Sequence, residues 1–286
     1  MKQQPLIALI GPGAMGEAII AGLLKQGITT PERIIAAGPE LDRAEELKER
    51  YGLVTTSDNR AAVQDANVVI LAVKPQKLER VMTGLDSQIP TEALVISIVA
   101  GATIQMICNG LSHESVVRAM PNTPAQIGEG ITVWTNSPAV SDEEIEIARQ
   151  ILLALGQEVY MEEEYYLDMA TALSGTGPAY VFMFMEGMID AGVHLGFPRR
   201  IAEQLVVQTM LGSLHFYQKN KIHPAQLRNQ VTSPGGTSAA ALYYLEKAGF
   251  RTAISRAVWA AYERSQELGR GRTSQAPEKN GDSGDK

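Results

Sequence analysis

The fold of this chain is decided by the stretch LIALIGPGAMG, residues 6–16. Its first part, Leu6 to Ile10, is continuously apolar, which predicts a strand buried on both faces of a parallel sheet. The spacing of apolar residues from Ala14 to Gln26 predicts a helix directly after it. The loop between them has the form Gly-x-Gly-x-x-Gly, with glycines at Gly11, Gly13 and Gly16. In this context the pattern predicts a dinucleotide site, because the glycines let a pyrophosphate approach the start of the helix.

Apolar runs and helical segments alternate through the rest of the first half. Further strands are predicted at Arg33–Ala37, Val68–Val73, Leu94–Val99, Val116–Met120, Ile131–Thr135 and Glu158–Met161. Helices are predicted at Leu41–Tyr51, ended by Gly52, and at Asp142–Leu155. This alternation is typical of a doubly wound parallel sheet, so the first half is expected to be α/β.

Beyond the acidic run at residues 162–164 the pattern becomes helical. Helices are predicted at Tyr165–Leu173, Pro178–Leu195, Pro198–Gln218, Ala225–Gln230, Ser238–Ala248 and Thr252–Gly269, with a left-handed helix end at Gly249. The helix from Pro178 is apolar on every side, so we expect it to be buried all round, with a partner subunit covering one side. The predicted domains are 1–162, which binds the dinucleotide, and 163–269, which is all-α and forms a dimer. Residues 270–286 are rich in Gly, Ser, Lys and Asp and are predicted to be a disordered tail.

Composition excludes several classes of function. The net charge of −7 argues against a nucleic-acid partner, which would require clustered Lys and Arg. The chain has a single cysteine, Cys108, which excludes an internal disulfide and a metal site built from cysteines. We expect Cys108 to be a buried structural thiol, and we expect no bound metal. The longest apolar run, Ala179 to Met185, is too short to span a bilayer, and the first residues do not resemble a signal peptide. A cytoplasmic protein is therefore expected.

The second predicted strand indicates the type of dinucleotide. It ends Ala36-Ala37-Gly38-Pro39, without the acidic residue that binds an NAD ribose, and Glu40 comes only later. This favours NADP, with NADPH preferred and NADH as the alternative. Arg43 could reach a 2′-phosphate or be a solvated helix charge, and Asn59 could be a helix N-cap or an adenosine contact. Lys74, followed by Pro75, lies after a strand, at the edge where cofactors bind, and could contact the cofactor or be an ordinary surface lysine.

Two glycine-rich loops in the second half carry hydroxyl groups and each opens a predicted helix. They read LSGTGPAY at residues 173–180 and TSPGGTS at residues 232–238. Backbone N–H groups at a helix start bind anions, so both loops suit a small anionic substrate. Together with MPNTP at residues 120–124, in this order and spacing, they resemble the pyrroline-5-carboxylate reductase family. The resemblance extends from about residue 6 to residue 269.

This resemblance implies NAD(P)H-dependent reduction of the cyclic imine 1-pyrroline-5-carboxylate to L-proline, the last step of proline biosynthesis. It implies a Rossmann-like N-terminal domain and a helical C-terminal domain that interlocks with a second subunit, giving a homodimer that can close into a ring of dimers, a decamer. The substrate-binding residues that it implies are Gly175, Thr176, Gly177, Gly236, Thr237 and Ser238. The cofactor contacts that it implies are Gly13, Ala14, Met15, Asn59, Ala72, Lys74, Pro75, Ala100 and Asn122, beside the fingerprint glycines Gly11 and Gly16.

The chain departs from the family pattern at two positions. Ser238 stands where a second Thr is usual, which keeps the hydroxyl, and Asn229 stands where an acidic residue is common. Ser238 or Thr237 could hydrogen-bond the ring nitrogen of the imine, and we take these two as the catalytic candidates. Rate enhancement would then come mainly from positioning.

Two other functions stay open. A β-hydroxyacid dehydrogenase shares the N-terminal pattern but uses a helix-borne lysine as acid and base, and this chain has no lysine between Lys77 and Lys219. A non-catalytic dinucleotide-binding regulator is the other alternative, and the intact substrate loops argue against it.

Overall fold

A computed structural model describes residues 4–269 of the chain. These residues form two units, one made of residues 4–175 and 261–269 and the other of residues 176–260. The predicted domain boundary at residue 162 stays a prediction. The predicted disordered tail, residues 270–286, lies outside the described residues.

The first unit is built on an eight-stranded sheet of order β3-β2-β1-β4-β5-β6-β7-β8. The strands are β1 (Ile7–Ile10), β2 (Ile34–Ala37), β3 (Val54–Thr56), β4 (Val68–Leu71), β5 (Leu94–Ser97), β6 (Val116–Met120), β7 (Gly130–Asn136) and β8 (Gly156–Tyr160). In the register of the central strands, Ile7 lies opposite Ile34 on one side and Val68 on the other. The predicted doubly wound sheet is confirmed.

Two features of this sheet were not predicted. Strand β3 is a short edge strand of three residues, beginning with the exposed Val54, and the sequence offered no apolar run to mark it. Strand β7 runs antiparallel to β6, with Trp134 opposite Ala119, so the sheet is parallel except for this one pairing. An apolar run does not reveal its direction, which is set by the connection before it.

Helices cover both faces of the sheet. They are α1 (Ala14–Lys25), α2 (Leu41–Tyr51), α3 (Asn59–Val63), α4 (Pro75–Leu85), α5 (Ile104–Leu111), α6 (Asp142–Leu153) and α7 (Tyr166–Ala170), which continues as a π-helical turn at Thr171–Gly175. Strand β1 shows why two layers form, because its side chains alternate between two cores. Ile7 and Leu9 pack in one, whereas Ala8 and Ile10 pack in the other.

The remaining helices are α8 (Gly177–His194), α9 (Arg199–Asn220), α10 (Pro224–Gln230), α11 (Thr237–Lys247) and α12 (Phe250–Gly269). Gly249 adopts the predicted left-handed conformation, with φ of +73°. Helix α8 was expected to be buried all round, with a partner subunit covering one side. Within the single chain it is mostly exposed: Ile189 is its one buried residue, and Phe182 and Met183 are 60% and 76% exposed. The buried core of the second unit is small and centres on Ile189, Ala202 and Val206.

Cys108 differs from the expectation of a buried thiol. It lies on α5 with intermediate exposure, and its Sγ atom is 3.9 Å from the carbonyl oxygen of Glu114. Burial raises the pKa of the Cys108 thiol, and the nearby carboxylate of Glu114 raises it further. The thiol is therefore kept protonated at neutral pH, which is the state of an unreactive cysteine.

Candidate functional site

The fingerprint loop connects β1 to α1 at the carboxyl edge of the sheet. Gly11 has φ of +91°, and its amide donates a hydrogen bond of 2.8 Å to the carbonyl oxygen of Ala37 in β2. Gly13 is the N-cap of α1, so the amides of Ala14 and Met15 are the first two of the helix. Such amides have no acceptor within their own helix and are the natural donors to a phosphate.

The three fingerprint glycines have different roles. A Cβ atom on Gly11 would lie 2.6 Å from a methyl carbon of Val73, and one on Gly16 would lie 2.9 Å from the carbonyl oxygen of Gly11. Both positions are glycine because the protein itself leaves no room. A Cβ atom on Gly13 would meet no protein atom within 4 Å, and Gly13 is exposed. The protein does not require a glycine there, so the free space fits a bound group, as the fingerprint predicts.

The residues that follow β4 lie against this loop. The amide of Ala72 donates a hydrogen bond of 2.9 Å to the carbonyl oxygen of Ile10, the last residue of β1. Lys74 is exposed and is the N-cap of α4, whose first residue is Pro75. Three of the predicted cofactor residues therefore share one edge with the fingerprint loop.

Ala100 and Asn122 follow β5 and β6, the next strands along the same edge. The Oδ1 atom of Asn122 accepts a hydrogen bond of 3.0 Å from the amide of Ile131, which fixes its side chain at the end of the strand. Asn59 follows β3 at the far end of the edge, and it is the first residue of α3 rather than its N-cap. The N-cap is Asp58, whose carboxylate accepts a hydrogen bond of 2.9 Å from the amide of Arg60.

The sheet thus brings all the predicted cofactor residues to one edge, where parallel α/β sheets bind ligands. They are Gly11, Gly13, Ala14, Met15, Gly16, Asn59, Ala72, Lys74, Pro75, Ala100 and Asn122. Their contacts with a cofactor stay a prediction.

Arg43 on α2 turns back towards the fingerprint loop. Its Nε atom donates a hydrogen bond of 3.1 Å to the carbonyl oxygen of Pro12, and its other guanidinium nitrogens pair with Glu17 and Glu46. Hydrogen bonding to Glu17 raises the pKa of Arg43. The interpretation of Arg43 as a solvated charge is wrong, because the side chain is 22% exposed and bonds to three protein groups. Its contact with a 2′-phosphate stays a prediction.

The first substrate loop lies at the division between the two units. Gly175 ends the π-helical turn in the first unit, and a Cβ atom there would lie 2.7 Å from the terminal methyl of Met120. The hydroxyl of Ser174 donates a hydrogen bond of 2.9 Å to the carbonyl oxygen of Ala170. Thr176 and Gly177 belong to the second unit, where they begin α8.

The second substrate loop begins α11. Gly236 is its N-cap, and Thr237 and Ser238 are its first two residues, with Thr237 exposed and Ser238 partly buried. A Cβ atom on Gly236 would lie 2.5 Å from the hydroxyl oxygen of Ser233. A larger residue at position 236 would therefore displace the hydroxyl of Ser233, whereas the nearest backbone atom is 3.2 Å away. The roles of Thr237 and Ser238 stay predictions.

The sequence reasoning missed a buried cluster behind the carboxyl edge. Arg118 on β6 has a side chain that is only 4% exposed, and it pairs with Glu164 and Asp168 at 2.8 Å each. The hydroxyl of Ser265 donates a hydrogen bond of 2.8 Å to the same oxygen of Asp168. The signal was an arginine inside an otherwise apolar strand, VVRAM, because a buried charge requires an opposite charge or hydrogen-bond acceptors beside it.

Two further observations concern metal ligands and membrane spans. Among the residues described, no group of three or more His, Cys, Asp or Glu side chains is arranged to hold a metal ion. Within residues 4–269 there is also no helix long and apolar enough to cross a membrane.

Two family models match the chain. Residues 6–101 match the family described as NADP oxidoreductase, coenzyme F420-dependent. Residues 164–268 match the family described as pyrroline-5-carboxylate reductase dimerisation. The first match covers most of the fingerprint edge, and the second contains both glycine-rich substrate loops.

Relatives that match over nearly the whole chain carry one name. A pyrroline-5-carboxylate reductase of Synechocystis is 43% identical over 264 residues, which is 92% of this chain and 98% of the relative. A protein of the same name from Methanosarcina acetivorans is 38% identical, again over 92% of this chain and 98% of the relative.

Solved structures agree with these relatives. A pyrroline-5-carboxylate reductase from Coxiella burnetii matches with a TM-score of 0.83 at 37% identity, covering 93% of this chain and 99% of that one. The pyrroline carboxylate reductase of Plasmodium falciparum, solved with NADP bound, matches with a TM-score of 0.85 at 32% identity, covering 93% and 98% of the two chains.

Proposed function

Because this chain belongs to the pyrroline-5-carboxylate reductase family, we propose that it reduces 1-pyrroline-5-carboxylate to L-proline with NADPH, the last step of proline biosynthesis. The observation that carries the proposal is the 43% identity to a reductase of that name across 92% of the chain. The family matches to residues 6–101 and 164–268 include most of the fingerprint edge and both substrate loops, so the proposal does not rest on a shared dinucleotide fold alone.

The fingerprint edge supports the choice of cofactor. When bound, the dinucleotide supplies a hydride, and the protein's part is to hold it in place. The amides of Ala14 and Met15 at the start of α1 would hold the pyrophosphate, and the open space at Gly13 lets it approach. Strand β2 ends in Ala37 without a carboxylate, so nothing there repels a 2′-phosphate and NADPH is preferred over NADH.

The substrate loops suit a small imine that carries one carboxylate. The N-terminal amides of α8 and α11, with glycines beside them, would hold the carboxylate without an arginine. The hydroxyl of Ser238 or Thr237 would bind the ring nitrogen and fix the face of the ring that is presented for reduction. A cyclic iminium arrives already protonated, so the protein needs no strong general acid and contributes mainly orientation.

The two alternatives differ from the proposed reductase in what they do with the cofactor. A β-hydroxyacid dehydrogenase needs a basic side chain near the reacting carbon, and the chain has no lysine between Lys77 and Lys219 to provide it. A dinucleotide-binding regulator would bind NADPH without turning it over.

One assay separates the three functions. In the first reaction, the loss of NADPH absorbance is followed with 1-pyrroline-5-carboxylate. In the second, the formation of NADH is followed with 3-hydroxyisobutyrate and NAD. The third contains the cofactor alone. We expect turnover only in the first, with L-proline as the product. Turnover in the second, or binding without turnover in all three, would contradict the proposal.

The proposal extends to the assembly and its place in the cell. The dimerisation family matches residues 164–268, and α8 exposes Phe182 and Met183 in a single chain. Both observations support a homodimer formed through the second half, because a patch of this kind is usually covered by a partner. We propose further that the dimers assemble into a ring and that the protein is located in the cytoplasm. A native mass spectrum tests it through multiples of the 30.9 kDa chain.

A further inference from the structure

The contacts of Arg43 link α2 to the fingerprint loop. The Nε atom donates to the carbonyl oxygen of Pro12 at 3.1 Å, while one terminal nitrogen donates to Glu46 at 2.6 Å and the other pairs with Glu17. The Arg43 side chain is 22% exposed. A guanidinium has its donors in a rigid fork, so meeting three acceptors at once fixes its position.

Pro12 is held from a second side as well. A Cβ atom on Gly38, just after β2, would lie 2.9 Å from the Cδ atom of Pro12, so the backbone of Gly38 already lies against the proline ring. Pro12 is buried, whereas its neighbour Gly13 is exposed. The segment from β2 to α2 therefore contacts Pro12 twice: Gly38 lies against its ring, and Arg43 bonds its carbonyl oxygen. Pro12 lies two residues before Ala14, whose amide is one of those proposed to bind the pyrophosphate.

The charges around Arg43 balance. Arg43 and Arg50 each pair with both Glu17 and Glu46, and the hydroxyl of Tyr51 donates to Glu17 at 2.9 Å. Two cations and two anions leave no net charge to attract a phosphate. This arrangement favours a role for Arg43 towards the protein rather than towards the 2′-phosphate of a cofactor.

We infer that Arg43 is a positioning residue for the dinucleotide site: it holds the Pro12 carbonyl so that the loop presents its amides, and not a carbonyl oxygen, to the pyrophosphate. This inference rests on the cofactor part of the proposed function. It predicts that Arg43 contributes equally to NADPH and NADH, because both cofactors carry the same pyrophosphate. A ligand of the 2′-phosphate would contribute to NADPH alone.

The test is a calorimetric titration of the full chain with NADPH and with NADH, without substrate. For Arg43→Met, which keeps the apolar stem but loses the donors, we expect both dissociation constants to rise about 10- to 100-fold, since a hydrogen bond from a charged group is lost. We expect their ratio to stay that of the unchanged protein. In steady-state assays the KM for NADPH should rise while kcat at saturating NADPH stays near its original value.

Arg50→Gln is the matched control, because it removes one cation from the same charged cluster and leaves the contact to Pro12 in place. We expect it to change either dissociation constant by less than about threefold. In Arg43→Met, Glu17 loses one of its two cations, so its negative charge is a second possible cause of weaker cofactor binding. The double variant Glu17→Gln with Arg43→Met removes that charge as well and so separates it from the lost contact to Pro12. We expect the double variant to bind as weakly as Arg43→Met alone.

Four outcomes would overturn the inference. They are unchanged binding in Arg43→Met, a loss confined to NADPH, an equal loss in Arg50→Gln, and restored binding in the double variant. Because the titrations contain no imine, they stay informative if the protein proves not to reduce 1-pyrroline-5-carboxylate, so the two failures can be told apart.

Discussion

Arg118 and Asp168 are joined by a hydrogen bond of 2.8 Å between a guanidinium nitrogen and a carboxylate oxygen, inside the first unit. Their side chains are 4% and 17% exposed, so the pair is largely withdrawn from water. Through it, strand β6 is bonded to helix α7, and Ser265 at the end of α12 bonds to the same carboxylate. The cluster joins three parts of the chain that are distant in sequence.

We predict that Arg118→Met lowers the free energy of unfolding by about 3 kcal/mol, because it leaves the partly buried carboxylates of Asp168 and Glu164 without their counter-charge. Arg199→Met is the control: Arg199 also pairs with two carboxylates, Asp190 at 3.1 Å and Glu203 at 3.3 Å, but all three side chains are about half exposed or more, so its loss should cost less than about 1 kcal/mol. Urea unfolding followed by circular dichroism measures both. If both variants lose a similar, small amount of unfolding free energy, the burial of Arg118 does not make its ion pairs more important for stability.

Gly13→Val should abolish cofactor binding and spare the fold. The backbone of Gly13 is extended, with φ of −74°, and a Cβ atom there would meet no protein atom within 4 Å, so we expect the cost to fall on the pyrophosphate that we propose binds beside it. We expect the dissociation constant for NADPH to rise by more than about tenfold. Gly84→Val on α4 is the control, since a Cβ atom there also meets nothing within 4 Å. Unchanged NADPH affinity in calorimetry would remove Gly13 from the binding site.

The capping box at the start of α6 should make stability depend on pH. Desolvation by itself raises the pKa of Glu144, but hydrogen bonds from the amide of Ser141 and the hydroxyl of Ser115 outweigh it, and the pKa lies below its ordinary value of 4.5. A lowered pKa in the folded state means that the ionised group stabilises the fold. This contribution is complete above about pH 4.5 to 5 and is lost as the pH falls through the folded-state pKa.

We therefore expect Glu144→Gln to lower the free energy of unfolding by about 1 kcal/mol at pH 7. The difference from the unchanged protein should shrink as the pH falls below 4.5, the ordinary value for this group. Urea unfolding at pH 7, 5 and 4, with Glu146→Gln on the same helix as the control, measures it. A difference that stays constant or grows towards acid pH would contradict the assignment.

The hydroxyl of Ser238 should matter for turnover and not for the cofactor. If it bonds the ring nitrogen of the imine, Ser238→Ala should lower kcat/KM about 10- to 150-fold, and Ser238→Thr should be tolerated. Ser213→Ala on α9 removes a hydroxyl that bonds its own helix at Thr209, and it serves as the control. Steady-state kinetics with imine and NADPH varied separately measure the effect. If Ser238→Ala turns over the imine as fast as the unchanged protein, Ser238 does not bond the ring nitrogen, and Thr237 or water must do so.

The sequence predicted most strands because buried parallel strands are short, wholly apolar runs. The predicted strands at Val68–Val73 and Leu94–Val99 extend two residues beyond β4 and β5. Val73 shows the reason: it is apolar because it packs against the fingerprint loop, where it fills the space beside Gly11. An apolar run reports burial, and burial continues past the last hydrogen bond of a strand.

The candidate cofactor site was predictable because its signals are local. A strand, three glycines and a helix within eleven residues are sufficient to place Gly13 at the start of α1. Of the two interpretations of Asn59, the helix N-cap is wrong by one residue, because the cap is Asp58; both side chains can cap a helix, and only the backbone shows which one does.

The amino-acid sequence by itself determined the two-part organisation, the dinucleotide edge and the two helix starts rich in glycine, because each depends on residues near one another in the chain. The tertiary structure alone decided which charges meet. Arg43 reaches back to Pro12, and Arg118 reaches forward to Glu164 and Asp168. Such partners are selected by the packing of helices on the sheet, and no periodicity along the chain records that packing.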